Sequence, residues 1–238
     1  PGQSGECRIR VNDSGVLRAV TYGFPSAVHI DPIEKKPLNH FLPGSRIFSI
    51  ATVGCNLHCR NCQNWELSQT NPEEAVAVEL SPDDVVRRAR DNLCRSVAYT
   101  YSDPIVWYEY MFDTAKAARA ENVRNVWVTS GHINAKPLKA LCRYMDAANV
   151  DLKSFSEKTY RKLNSGKLES ILHTLKVLKD HGVWFEVTNL VVPTYTDNMD
   201  MIRRMCDWLV DNLGAGYPLY PRPAGHVVLG APHDTVGS

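Results

Sequence analysis

Val53-Gly54-Cys55-Asn56-Leu57-His58-Cys59-Arg60-Asn61-Cys62-Gln63-Asn64-Trp65 carries three cysteines spaced Cys-x3-Cys-x2-Cys. In a chain with 7 cysteines among 238 residues, chance would produce this triplet about 0.006 times. The residues just before it, Ile47 to Val53, are apolar and rich in β-formers, which predicts a strand delivering Cys55 at its C-terminal end. Thiolates are soft ligands that select zinc, copper(I) or iron–sulfur clusters. A structural zinc is normally closed by four protein ligands, and an electron-transfer cluster by four cysteines. A [4Fe-4S] cube on three cysteines leaves one iron open to a small molecule, and an open iron implies chemistry.

Two other readings of the triplet stand beside this one. A zinc site could recruit His58, Cys7, Cys94 or His40 as a fourth ligand. Inert buried thiols are the second, and His58, Arg60, Asn61 and Asn64 argue against them because they make the loop polar. Cys94, Cys142 and Cys206 each sit among periodic apolar residues and read as small core hydrophobes.

Outward from the triplet, strands and helices alternate. Upstream, Cys7 to Val11 and Val16 to Tyr22 flank Asn12-Asp13-Ser14-Gly15, which reads as a small hairpin. Downstream, Ser81-Pro82-Asp83-Asp84 is a helix start, with a serine cap and proline in the first turn, for a helix to about Leu93. Strands are expected at Ser96 to Tyr101, Asn125 to Thr129, Ala148 to Leu152 and Trp184 to Val192. Helices are expected at Ile105 to Glu121, Pro137 to Met145, around Leu168 to Leu178 before Gly182, and from Ile202 to Leu213 before Gly214. Tyr217 to Tyr220 is a candidate sixth strand. The alternation predicts a parallel sheet with right-handed crossovers, an α/β fold closer to an open or partial barrel than to a closed eight-stranded one. The expected division is a hairpin extension over 1–45, a partial (β/α)6 TIM-like barrel over 46–213 and a Gly/Pro-rich tail over 214–238. In that tail nine of 25 residues are Gly or Pro, the composition of a loop, disordered or truncated segment.

Composition excludes several function classes. The formal net charge is +1 with both signs dispersed, so no field favours nucleic acid or an anionic membrane. No apolar run reaches the length of a membrane span. An odd number of cysteines, three of them clustered, argues for a reducing, cytoplasmic setting over a disulfide framework. No signal sequence or initiator methionine precedes Pro1, which suggests a fragment or processed form.

The cysteine spacing resembles that of the radical S-adenosylmethionine (SAM) enzymes. Asp31-Pro32-Ile33-Glu34-Lys35-Lys36-Pro37-Leu38, Phe41-Leu42-Pro43-Gly44-Ser45, and the stretch from Gly54 to Glu66 are similar to the AmmeMemoRadiSam-system branch, itself similar to pyruvate formate-lyase activating enzymes. The resemblance implies a [4Fe-4S] cluster on Cys55, Cys59 and Cys62 whose open iron chelates SAM. It also implies a one-electron reductant of flavodoxin or ferredoxin type, and a substrate that gives up a hydrogen atom, with a protein glycine as the suggested class. Such sites lie at the C-terminal ends of the strands, and the remaining motifs fall there.

After the second strand, Tyr101-Ser102-Asp103 stands where the family has Gly-Gly-Glu, so Ser102 and Asp103 are implied to hold the SAM amino group. The residues alone equally suit a cap for the next helix. Thr129-Ser130-Gly131 stands where relatives carry Thr-Asn-Gly. Asp151-Leu152-Lys153 resembles the family's Asp-Leu-Lys motif, implying contacts to the SAM ribose and carboxylate; otherwise Asp151 and Lys153 are a solvated pair. Val192 opens a segment resembling the adenine support, with Thr194 where glycine is usual. Asn61 occupies a place where an aromatic residue often lies against the adenine. His132, Tyr99 and Trp65 are candidates for the substrate side of the mouth. A radical SAM enzyme, a zinc-stabilised binding module and an inactive remnant of the same fold are the three readings carried forward.

Overall fold

The computed structural model describes residues 2–223, and its architecture follows from where the apolar residues fall on alternating strands and helices. β1 (Arg10–Asp13) and β2 (Val16–Ala19) pair as an antiparallel hairpin. Ser14 and Gly15 hold φ of 53° and 93° in its turn, the mirror-image geometry that suits the twist of two-residue hairpins.

β3 (Ala27–Pro32), β4 (Arg46–Ala51), β5 (Ser96–Tyr99), β6 (Arg124–Thr129), β7 (Ala147–Asp151), β8 (Trp184–Val191) and β9 (Leu219–Pro223) form one sheet whose spatial order is the order in sequence. β3 runs antiparallel to β4, and all other neighbours are parallel. The connecting helices are α1 (Trp65–Gln69), α2 (Pro82–Asp91), α3 (Tyr108–Ala120), α4 (Ala135–Cys142), α5 (Glu157–Asn164), α6 (Leu168–Asp180) and α7 (Met199–Leu213). α2 starts with the expected serine cap: Ser81 and Asp84 form a reciprocal capping box. Six parallel strands in sequential order give the α/β partial-barrel arrangement expected from the alternation.

Successive strand residues point to opposite faces, and the two faces differ. Phe48, Ile50, Val97, Tyr99, Trp127, Val150 and Phe185 pack against the helices in the main core. On the other face, at the strand starts, Ile47, Ala98, Val126 and Ala147 pack with Ile33 and Leu38. The segment 33–45 therefore plugs that end. Glu186 on β8, fully buried, holds the plug by accepting from the backbone N–H groups of Asn39, His40 and Phe41 at 2.8, 2.9 and 3.3 Å.

Several boundaries differ from the sequence expectation. β3, inside the stretch read as a hairpin extension, is an edge strand of the main sheet. The sixth parallel strand is Leu219–Pro223, two residues later than expected and inside the stretch read as a tail; 224–238 lie outside the described residues. The helix expected from Ile105 begins as a 3-10 turn, Pro104–Trp107, before α3. The first parallel strand ends at Ala51, short of Val53.

Candidate functional site

The chain leaves β4 through Gly54, at φ 83°. A β-carbon there would lie 2.3 Å from the Cys7 carbonyl oxygen, so only glycine lets the N-terminal segment cross this closely. The Gly54 N–H donates to the Leu67 carbonyl at 3.1 Å, which ties the cysteine loop to α1. All seven cysteines are free thiols, and Cys55, Cys59 and Cys62 are half-buried. Burial pushes the Cys55 thiol up to about 12 and raises Cys59 as well. Desolvated thiols give up their protons only when a compensating cation arrives, so this donor set suits a metal cluster.

Polar groups already reach two of the three sulfurs. Leu57 N–H donates to Cys55 Sγ at 3.5 Å, and Ser68 Oγ lies 3.4 Å from Cys62 Sγ. The Asn164 amide donates to Asn61 Oδ1 at 3.3 Å and lies near Cys59. At this same end of the sheet Asn56 Oδ1, His132 Nδ1, Asn164 Oδ1 and Asn189 Oδ1 are buried without a partner. Orphaned buried polar atoms are rare in folded proteins, and four around one mouth fit a polar ligand.

Ser102, Asp103, Thr129, Ser130, Asp151, Lys153 and Val192 lie at strand ends, and Asn61 lies in the cysteine loop. Asp103 is buried and accepts from Thr129 Oγ1 (3.0 and 3.1 Å), Ser130 N–H (2.9 Å), Ser130 Oγ and Ile105 N–H (3.3 Å). Four donors fill the roughly four lone-pair sites of a carboxylate. Asp103 thus caps the following turn and also clamps the β5 exit to the β6 exit, and Thr129 and Ser130 spend their side chains on that clamp. Burial raises the Asp103 carboxyl, with the Ser130 and Thr129 hydrogen bonds opposing. Ser102 Oγ donates to the Thr52 carbonyl at 2.7 Å.

Lys153 Nζ and Asp151 Oδ2 pair at 2.8 Å with side chains 18% and 34% exposed, so the pair is half-buried at the mouth. Burial opposes the charge on Lys153, but Asp151 outweighs it and holds the ammonium charged. Asn61 and Val192 are both buried. Thr194, in place of glycine, does adopt a positive φ of 68°, with its N–H donated to Asp197 Oδ2 at 3.0 Å.

The substrate-side candidates separate. Tyr99 is buried on the helix-facing side of the sheet, where its hydroxyl donates to Asn125 Oδ1 at 3.0 Å, so it does not reach the mouth. Trp65 begins α1 and is 61% exposed. His132 is at the mouth, its Nε2 accepting from Lys167 N–H at 2.7 Å, and burial lowers its pKa. Of the zinc-ligand candidates, Cys94 precedes the start of β5 and His40 lies against Glu186 and Tyr220; both sit at the opposite end from the triplet.

Sequence reasoning missed Ser68 and Asn164, which nothing in their local sequence distinguishes from surface polar residues. It also missed a polar set inside the sheet. Lys36, 1% exposed, pairs with Asp31 at 2.7 Å, and the Tyr101 hydroxyl donates to the same Asp31 oxygen at 2.7 Å. Burial pushes the Asp31 carboxyl up, but Lys35, Lys36 and Tyr101 outweigh it and hold it well below the usual range. Tyr101 reaches this set from a φ of 68°, and its carbonyl accepts from Asn64 in the cysteine loop at 2.9 Å.

The chain is 44% identical over 219 residues to the uncharacterized protein MJ0808 of Methanocaldococcus jannaschii, covering 92% of this chain and 65% of that relative. A pyruvate formate-lyase-activating enzyme of Clostridium pasteurianum is 20% identical over 163 residues, 65% of each protein. The chain thus spans about two thirds of the length of these relatives. Among solved structures, Streptococcus suis SuiB aligns with a TM-score of 0.59 at 14% identity, covering 75% of this chain and 39% of SuiB. A structure titled anSMEcpe with bound AdoMet aligns at 0.56 and 14%, covering 73% of this chain and 48% of that one. Residues 49–209 match the family described as the radical SAM superfamily. That match opens inside the strand that delivers Cys55 and closes in the helix before the last strand, so it takes in nearly all of the repeating βα part of the fold, and the chain belongs to the radical SAM superfamily.

Proposed function

We propose that this protein is an AmmeMemoRadiSam-type radical SAM enzyme that holds a [4Fe-4S] cluster on Cys55, Cys59 and Cys62 and takes a hydrogen atom from a substrate of protein-glycine type. The cluster and SAM together supply a one-electron cleavage of the sulfonium that yields methionine and a 5′-deoxyadenosyl radical. The chain's own residues bind, orient and shield. Lys153 and Asp151 offer a cation and an acceptor to the SAM carboxylate and ribose. Asp103, with Thr129 and Ser130, fixes the exits of β5 and β6, and the plug at 33–45 closes the far end against water.

The observation that carries this reading is the grouping of three free, half-buried thiols, Cys55 and Cys59 desolvated, with the charged Lys153 at the C-terminal ends of parallel strands.

Anaerobic reconstitution with iron and sulfide, followed by EPR of the reduced protein with and without SAM and assay of 5′-deoxyadenosine, tests the proposal. The expected result is about four irons per chain, a signal that changes on adding SAM, and deoxyadenosine formed. Uptake of zinc but no cluster would overturn it in favour of a binding module. A cluster indifferent to SAM would leave an inactive remnant.

A further inference from the structure

The cysteine loop is bound to α5: Arg60, between the second and third cysteines, donates its backbone N–H to the Leu163 carbonyl at 2.9 Å. On α5 the residues facing inward are Tyr160, Leu163 and Asn164, while Lys158, Arg161 and Lys162 are exposed. These are spaced three and four apart and share one outward stripe. Lys167, just beyond the helix, and Arg60 are exposed too. Arg161 is compensated by Glu157 at 2.8 Å. Arg60, Lys158, Lys162 and Lys167 take part in no ion pair among the described residues; the acids beside them in sequence are Glu157, already paired with Arg161, and Glu169. Behind this surface the Asn164 amide donates to Asn61 Oδ1 at 3.3 Å, so α5 touches the cysteine loop at two points, Arg60 and Asn61.

We infer that the basic stripe of α5, with Arg60 and Lys167, is the docking surface for an acidic one-electron carrier. The inference rests on the proposed function. The carrier's reduced flavin or iron–sulfur centre loses one electron and the cluster gains it, with no bond made or broken at the surface. Clustered charge of one sign raises the rate at which an oppositely charged partner arrives, and salt weakens that steering. α4 also exposes Lys136, Lys139 and Arg143, but its later turns run toward the start of β7, away from the cysteines.

Reconstituted protein is mixed anaerobically with photoreduced flavodoxin, and bleaching of the cluster absorbance is followed by stopped flow at several salt concentrations, alongside reduction by dithionite. The double variant Lys158→Glu/Lys162→Glu is expected to lower the flavodoxin rate constant at low salt on the order of tenfold and to flatten its salt dependence. Dithionite reduction and the SAM-dependent EPR change stay at parental levels. A parental flavodoxin rate and salt slope in that variant overturns the inference, as does an equal loss in the control Lys139→Glu/Arg143→Glu. Parental protein that responds to neither dithionite nor SAM overturns the proposed function instead, so the two failures are distinguishable.

Discussion

Gly54→Ala separates two costs that coincide at the entry to the cysteine loop. At φ 83° a residue with a β-carbon pays about 1–2 kcal/mol for the left-handed backbone. The added carbon would also meet the Cys7 carbonyl oxygen at 2.3 Å and Ile9 Cγ2 at 3.0 Å, roughly 1 Å inside normal contact for the first. The nearer obstacle is backbone, so relief requires moving the segment that carries Cys7 and the fully buried Ile9. Overpacking of this kind costs about 1–3 kcal/mol, for a total of about 2–5 kcal/mol. Gly182→Ala is the control: φ is 69°, and nothing lies within 4 Å of its added carbon, so only the backbone cost of about 1–2 kcal/mol applies. Urea denaturation of both variants, with the slope checked for constancy, reads the difference. Iron uptake on reconstitution should fall in Gly54→Ala and not in Gly182→Ala, because the displaced loop is the one bearing Cys55. A Gly54→Ala variant within about 0.5 kcal/mol of the parent, or one no worse than Gly182→Ala, would refute the close-crossing argument.

Asp31→Asn strands the buried Lys36 ammonium and should cost about 3–5 kcal/mol at neutral pH, with Asp31→Asn/Lys36→Met recovering part of it. Asp31 titrates lower folded than unfolded, so its stabilisation is full above about pH 5 and is lost as pH falls through about 3.9 and below. Denaturation midpoints between pH 2 and 6 should show that slope in the parent and not in the variant. Glu186→Ala removes the acceptor for three plug amides and for Trp184 Nε1; a loss of about 3 kcal/mol or more should appear together with faster hydrogen exchange at residues 39–41, and unchanged exchange there would count against the latch. Ser68→Ala removes the hydroxyl beside Cys62. Hydrogen bonds to cluster sulfurs raise the reduction potential, so redox titration of the reconstituted variant should give a more negative midpoint at unchanged iron content, and an equal midpoint would show that the hydroxyl does not donate to the sulfur.

The alternation of elements and the position of the triplet were legible because each rests on a local signal: apolar β-rich strands, period-3.6 helices, the Ser81 cap, the cysteine spacing. β3 was not legible, because an edge strand of Ala-Val-His-Ile-Asp-Pro with His29 and Ile30 exposed lacks the uniform apolar run of its neighbours. β9 was legible only as far as Tyr220; its continuation was masked by Pro221 and Pro223, which an edge strand tolerates because one side of it needs no ladder bonds. Within the site, motif positions were readable but side-chain direction was not. Tyr99 and Tyr101 are two residues apart, yet one packs against the helices and the other turns into the sheet, because β5 ends at Tyr99 and the chain then takes a positive φ at 101.

That positive φ connects the missed polar set to the site. A non-glycine residue held left-handed costs about 1–3 kcal/mol and persists only where its surroundings over-determine it. Tyr101 is fixed at both ends, its hydroxyl on the Asp31–Lys36 pair and its carbonyl on Asn64 of the cysteine loop. Ser102 is fixed by Thr52, and Asp103 by Thr129, Ser130 and Ile105. Three consecutive residues thus tie the β5 exit to the edge strand, the cysteine loop, the β4 exit and the β6 exit. With the Asp103 carboxylate saturated, the acceptors this loop can still offer an ammonium are its backbone carbonyls, each with two lone pairs. The interior ion pair then has a physical reason to exist despite its desolvation cost: without it the Tyr101 backbone relaxes, and those carbonyls lose the orientation that the strained turn gives them.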